Sequence, residues 1–303
     1  MSPPIDQPPL RHIVLADDLL FPEGPLVDRG GDVWCVELRG GALCRISPEG
    51  QTERHVVGGA PNGLALDSQG DIWYCDAERN EIRRFETATA RVHSVVGSVD
   101  GHDLHAPNDL AFDSAGNLLF TCPGNSRQQP TGYVCCLSAS GSVQVIAAEL
   151  LFPNGLAFTA DGARLYLAET YGTRVRSADW NASSPHSLSL QPCFETPGPI
   201  GPDGLAVDRE GRVHACLYSA GVVLIADTDG NVQRSVPVPG GRPTNCAFDP
   251  RGRYGLLVTE AAKGTVLSFP ELGPGDAPFF GKPSLNARPA YPPSPAVTKP
   301  AAS

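Results

Sequence analysis

The chain has 303 residues, a formal net charge of −10, and 33 glycines and 30 prolines. That charge argues against nucleic acid or an anionic membrane surface as partner, and the apolar run at 13–16 is far too short for a signal-peptide core or a bilayer span. Nine cysteines, an odd number with no CxxC pair, fit a reducing cytoplasm better than a disulfide framework.

Residues 1–11, with Pro3, Pro4, Pro8 and Pro9, are expected to form an N-terminal tail. After a short apolar segment at 12–16 comes the turn Phe21-Pro22-Glu23-Gly24-Pro25. Turns of similar make follow at Pro61-Asn62-Gly63, Pro107-Asn108-Asp109, Pro153-Asn154-Gly155, Pro202-Asp203-Gly204 and Pro243-Thr244-Asn245, with successive prolines 39, 46, 46, 49 and 41 residues apart. Each turn opens a short apolar strand, then a turn rich in Asp, Asn and Gly, then a second strand. Residues 64–67 and 72–76 show the pattern, as do 110–113 and 118–121, and 156–159, 205–208 and 246–249 repeat the first strand. Third strands are expected at 81–85 and 221–225, and fourth strands at 92–96 and 143–146. Cys35, Cys75, Cys122 and Cys216 fall at similar places on second strands, where they are expected to act as small core hydrophobes.

Four strands per repeat of 40 to 50 residues describe one blade of a β-propeller. A sandwich would not repeat the same phrase six times, and a β-helix rung is about half this length. No stretch reads as a long amphipathic helix. The expected fold is therefore all-β, a six-bladed propeller over residues 12–270 with a central metal site, followed by a Pro-rich C-terminal tail at 271–303. The first repeat lacks an outer strand of its own, so 12–16 or 266–269 is expected to close the ring across the chain ends.

Local catalytic strings are absent: there is no G-x-S-x-G, S-x-x-K, H-E-x-x-H or P-loop. Chemistry must come from residues that the fold brings together. In a closed array the equivalent turns meet at the axis, carrying Glu23, Asn62, Asn108, Asn154, Asp203 and Asn245. Converging carboxylate and amide oxygens suit a hard cation. Asn, Asp and Gly are also what tight turns need, but Glu23 is a poor turn residue and escapes that explanation. His102 and His105 lie just before Asn108, within reach of the same mouth.

Four of these motifs, in register, point to a family. Phe-Pro-Glu-Gly-Pro at 21–25, Pro-Asn-Asp at 107–109, Phe-Pro-Asn-Gly-Leu-Ala-Phe at 152–158 and Gly-Pro-Asp-Gly-Leu-Ala-Val-Asp at 201–208 resemble the SMP-30/gluconolactonase/LRE family. The resemblance implies a six-bladed propeller that hydrolyses a lactone, often a sugar lactone, with one divalent metal in the channel. Ca²⁺ is favoured as that metal, and Mg²⁺, Mn²⁺ or Zn²⁺ are also accepted in the family. By resemblance Glu23, Asn154 and Asp203 are the metal ligands, Asp203 is the general base, and Asn108 touches metal or substrate beside them.

Two departures concern the substrate. Phe120-Thr121-Cys122-Pro123 stands where members usually show Phe-Thr-Asp-Pro, and His105-Ala106-Pro107 stands where many carry an arginine. His102, His105 and Arg127 are expected to replace that arginine as substrate contacts, which implies a preference for neutral or less acidic lactones. The expected partner is a small lactone, with no nucleic acid and no membrane, and the expected location is the cytoplasm.

Overall fold

Proline at the head of each repeat fixes φ for an extended start, and the polar residue and glycine behind it admit a bulge. The computed structural model describes residues 10–273 and 275–281. Its inner strands are Pro22–Val27, Pro61–Leu66, Leu110–Phe112, Pro153–Phe158, Leu205–Val207 and Pro243–Phe248. Each begins or ends an antiparallel four-stranded sheet, and the six sheets, blades I to VI in the order of these strands, form an all-β six-bladed propeller. The expected third and fourth strands are present as Glu81–Glu86, Val222–Ala226, Arg91–Val96 and Val143–Leu150.

The ring closes through both segments named from the sequence, because Ile13–Ala16 pairs antiparallel with Thr265–Phe269. The expectation about which repeat is short is corrected. Blade I has its own outer strand, Thr52–Val56, paired with Ala42–Ile46, and blade VI borrows Ile13–Ala16. Thr52–Val56 is solvent-facing along almost its whole length, so it lacks the apolar alternation that marks the other strands.

Between inner and second strands the same device recurs. Asp67 Oδ1 accepts from the N–H groups of Gln69 (2.9 Å) and Asp71 (3.0 Å), and its Oδ2 accepts from Trp73 Nε1 (3.0 Å). Asp113 does the same with Ala115, Asn117 and Trp180. These aspartates, with Asp208 and Asp249, form the hairpin turns. Cys35, Cys75, Cys122 and Cys216 are fully buried in the cores between blades.

Residues 275–281 lie across the end of the axis away from the proline turns. Asp276 pairs with Arg209 (3.2 Å), the Phe279 ring meets Phe158 at 6.2 Å, and Ser68 N–H donates to Gly281 O (2.9 Å). Between this segment and the turns is a cavity of about 190 Å³, lined by apolar residues of all six blades, among them Leu26, Leu66, Phe112, Phe158, Val207 and Phe248. The rest of the expected tails, 1–9, 274 and 282–303, lies outside the described residues.

Candidate metal centre

In blades I, II, IV and VI the pairing of inner and second strand is interrupted by a bulge at the turn. In blade I, Glu23 pairs with Val36 but Leu26 with Trp34. A bulge re-aims the side chain it carries, and here that residue is Glu23, Asn62, Asn154 or Thr244. The glycine behind it is required by space. Gly24 has φ +52°, and a Cβ there would lie 2.9 Å from Asn62 O and Leu64 N. Neighbouring inner strands are stitched at these points: Gly63 N–H donates to Asn108 O (2.8 Å), Gly155 N–H to Asp203 O (3.1 Å) and Gly204 N–H to Thr244 O (2.8 Å).

Two blades break the glycine rule. Asp109 in blade III and Asn245 in blade VI occupy the position that is Gly24, Gly63, Gly155 or Gly204 elsewhere. The Asp109 carboxyl fills the space a Gly63 Cβ would take, and the Asn245 amide fills that of Gly204. The axial list read from the sequence is corrected accordingly. Thr244, not Asn245, is the counterpart of Glu23, and its hydroxyl donates to Pro22 O (2.7 Å) to tie the first and last blades together.

Glu23, Asp109 and Asp203 thus form a set of three carboxyls. Burial pushes Glu23 well above the usual carboxylate range, and Asp203 and Asp109 push it further. The Gly24 N–H (3.2 Å) and the Asn245 side chain act against this. Burial raises Asp203 to about 7, opposed by the hydrogen bond from Asn154 Nδ2 (2.6 Å), and Asp109 adds to the rise. Burial likewise raises Asp109 to about 6, opposed chiefly by the Leu110 N–H (2.9 Å). Among the described residues no Arg, Lys or His pairs with any of the three.

Other buried carboxyls in this protein are compensated. Glu37 has Arg54 (3.2 Å), Asp76 has Arg79 (3.3 Å) and Arg83 (3.4 Å), and Glu169 has Arg174 (2.7 Å). Glu260 accepts three backbone N–H groups, from Arg242, Ala262 and Lys263. Uncompensated buried charge is costly, and a set of oxygen donors of this kind could take a divalent cation.

The amides fit that reading. Asn154 Nδ2 is committed to Asp203 and to Thr170 Oγ1 (3.2 Å), and the Thr170 hydroxyl is itself held by donating to Pro202 O (2.7 Å). The Asn154 carbonyl oxygen is left without a protein donor among the described residues. Among those residues no group of three or more His, Cys, Asp or Glu is set to hold a metal; a cation bound here would need amide oxygens among its donors, which Ca²⁺ and Mg²⁺ accept and softer metals favour less.

The metal-free protein should carry the mark of this crowding. The folded-state values of Asp203 and Asp109 lie above the ordinary value of 3.8, so their protonated forms favour the fold and that contribution is lost as pH rises through about 6 to 7. The expected result is a Tm of chelator-treated protein that falls between pH 5 and pH 8 and recovers on adding Ca²⁺ or Mg²⁺. A Tm that is flat or rises over that window would contradict it.

A family model described as an SMP-30/Gluconolactonase/LRE-like region matches residues 21–262. The chain belongs to this family. A gluconolactonase of Zymomonas mobilis is 27% identical over 276 residues, covering 79% of this chain and 76% of its own length. A solved gluconolactonase of Xanthomonas campestris aligns with a TM-score of 0.75 at 27% identity, covering 85% of this chain and 88% of that one. A calcium-binding regucalcin of Agrobacterium tumefaciens shares the fold, with a TM-score of 0.78, 22% identity, and coverage of 90% and 98%.

In this SMP-30/gluconolactonase propeller, Glu23 and Asn154 are buried and Asp203 is partly buried at the axis; Asn108, half-buried, donates its N–H to Thr121 O (2.9 Å). The residues expected at the mouth are exposed. His102 is on a two-residue strand paired with Ser98–Val99. The His105 ring meets the Tyr133 ring at 6.0 Å, and Arg127 lies over Phe152 and Tyr171. Among the described residues no hydrogen bond joins either histidine to Asn108.

Sequence reasoning missed Asp109, Thr170 and a set of clamps. Glu37 accepts from Leu20 N–H (3.1 Å), Asp76 from Ala60 N–H (3.1 Å), Glu169 from Leu151 N–H (2.8 Å) and Glu260 from Arg242 N–H (3.0 Å). Each clamp holds the chain just ahead of an axial turn. An acid closing the second strand in four repeats (35–37, 74–76, 167–169, 258–260) was the available signal.

Proposed function

We propose that this protein is a divalent-metal-dependent lactonase that opens a small, sugar-type lactone to its hydroxy acid. The observation that carries the reading is the set of axial carboxyls with no basic partner among the described residues, in a chain whose relatives include gluconolactonases. Glu23, Asn154 and Asp203 would hold the ion, with Asn108 beside them, and Ca²⁺ is the favoured occupant. When bound, a divalent cation supplies positive charge that polarises a carbonyl and stabilises developing negative charge.

The protein's own groups do the rest. Asn154 Nδ2 occupies Asp203 Oδ1 (2.6 Å), which leaves Oδ2 to take a proton from the attacking water. The same carboxyl then returns the proton to the ring oxygen as the acyl–oxygen bond breaks, so the hydroxy acid forms with no net transfer to the protein. Thr170 holds Asn154 in the orientation that this requires. Asn108, His102, His105 and Arg127 are the proposed substrate contacts. Nine free thiols, including the cross-strand neighbours Cys35 and Cys44, support a cytoplasmic location.

The test is acid release from sugar, aliphatic and aromatic lactones with and without a chelator. Hydrolysis of at least one lactone that stops on chelation and returns with Ca²⁺ or Mg²⁺ is expected. Inertness towards every lactone, or turnover indifferent to chelator, would overturn the reading.

A further inference from the structure

The mouth above the carboxyls is edged by guanidinium groups stacked on aromatic rings. Arg39 Cζ lies 4.6 Å from the Phe21 ring centre, Phe21 lies 6.3 Å from Tyr218, and Arg242 Cζ lies 5.1 Å from Tyr218. This ladder joins blades I, V and VI. On blades III and IV, Arg127 Cζ is 5.6 Å from both Phe152 and Tyr171, whose rings meet edge to face at 5.5 Å.

Both groups are at the metal-centre end. Phe21 and Phe152 stand two residues before Glu23 and Asn154, and Arg242 directly precedes the Pro243 turn. Arg39 N–H is bonded to Leu20 O (3.1 Å), and Tyr171 N–H to Leu151 O (3.2 Å). Phe21 and Phe152 have φ of +61° and +60°, a left-handed conformation unfavourable for an aromatic residue. The same strain recurs at opposed blades, each time where a ring backs an arginine.

None of these three arginines forms an ion pair among the described residues, in contrast to Arg45, Arg54, Arg174 and Arg212. Stacking on a ring face leaves the in-plane N–H groups free, and a planar fork of donors matches a carboxylate. In a protein of net charge −10, a cationic rim over the channel also steers anions inward.

We propose that this rim sets specificity and that the substrate is a lactone bearing a carboxylate. The guanidinium groups hold the carboxylate and the ring faces pack against the lactone's carbon face. The proposal rests on the lactonase reading and names its substrate class. It runs opposite to the preference for neutral lactones expected from the missing arginine.

The experiment compares γ-butyrolactone with the same ring carrying a γ-carboxylate, on wild type and on the double variant Arg39→Gln/Arg242→Gln, at matched metal loading. Wild type is expected to favour the carboxylate form in kcat/KM by about tenfold or more. The double variant should raise KM for that form by about the same factor, with kcat and the neutral lactone's kinetics little changed. Equal use of both lactones by wild type, or equal losses on both in the variant, would overturn the proposal. Calorimetric binding of the ring-opened dicarboxylate reads the rim without turnover. If neither lactone is opened but this acid binds wild type and not the variant, the rim stands and the lactonase reading falls. If the acid binds both proteins equally, or neither, the rim proposal falls.

Discussion

Asp203→Asn, assayed at saturating divalent cation, is expected to lower kcat by roughly 10² to 10⁴-fold, the usual range for a lost acid–base group. The substitution keeps an oxygen donor and the side-chain volume but removes the atom that can take a proton. Asn154 Nδ2 donates to Asp203 Oδ1 at 2.6 Å and can donate to the retained carbonyl oxygen, so the variant puts an NH2 group and no negative charge where Oδ2 was. Cation affinity will therefore fall as well, which is why the assay needs saturating metal. Burial holds this carboxyl at about 7 in the metal-free protein, and a bound cation would lower it and favour the ionised form that can accept a proton. Turnover near wild type under saturating metal would assign the proton to another group.

Glu23→Gln should separate binding from stability. One of the two proposed charged ligands is lost with its shape retained, and cation affinity is expected to drop by roughly 10 to 100-fold, since ligand charge count sets the strength of such sites. The chelated variant should behave in the opposite way. In the metal-free wild type this buried carboxyl sits beside Asp203 and Asp109 with no basic partner among the described residues, so neutralising it relieves a burden on the fold. The expected pattern is a crossing: the variant has the higher Tm without metal, and wild type has the higher Tm with metal. Unchanged cation affinity, read by titration calorimetry, would mean that Glu23 is not a ligand.

The repeat was legible because proline, glycine and apolar alternation recur locally, and local signals are what a sequence displays. Thr52–Val56 was missed because an exposed outer strand needs no apolar face. The axial set was legible at Glu23, a residue that a tight turn does not want, and at Asn154 and Asp203, which share its place before a glycine. Asp109 was not, since it stands in the glycine position and its neighbour Asn108 matches the pattern better. Its burial comes from filling space beside Gly63 in another blade, a contact between segments roughly 45 residues apart that no local pattern encodes. The stacked arginines share that property: Phe21 and Tyr218 meet only because the ring closes.

The most direct test is titration of chelator-treated wild-type protein with Ca²⁺, following heat of binding and lactone hydrolysis in the same preparation. One cation per chain, with activity rising in proportion to occupancy and both responses weakened in Glu23→Gln, is the expected result. Full hydrolysis before any cation is added, or saturable binding that Glu23→Gln leaves untouched, would contradict a catalytic metal held at the propeller axis.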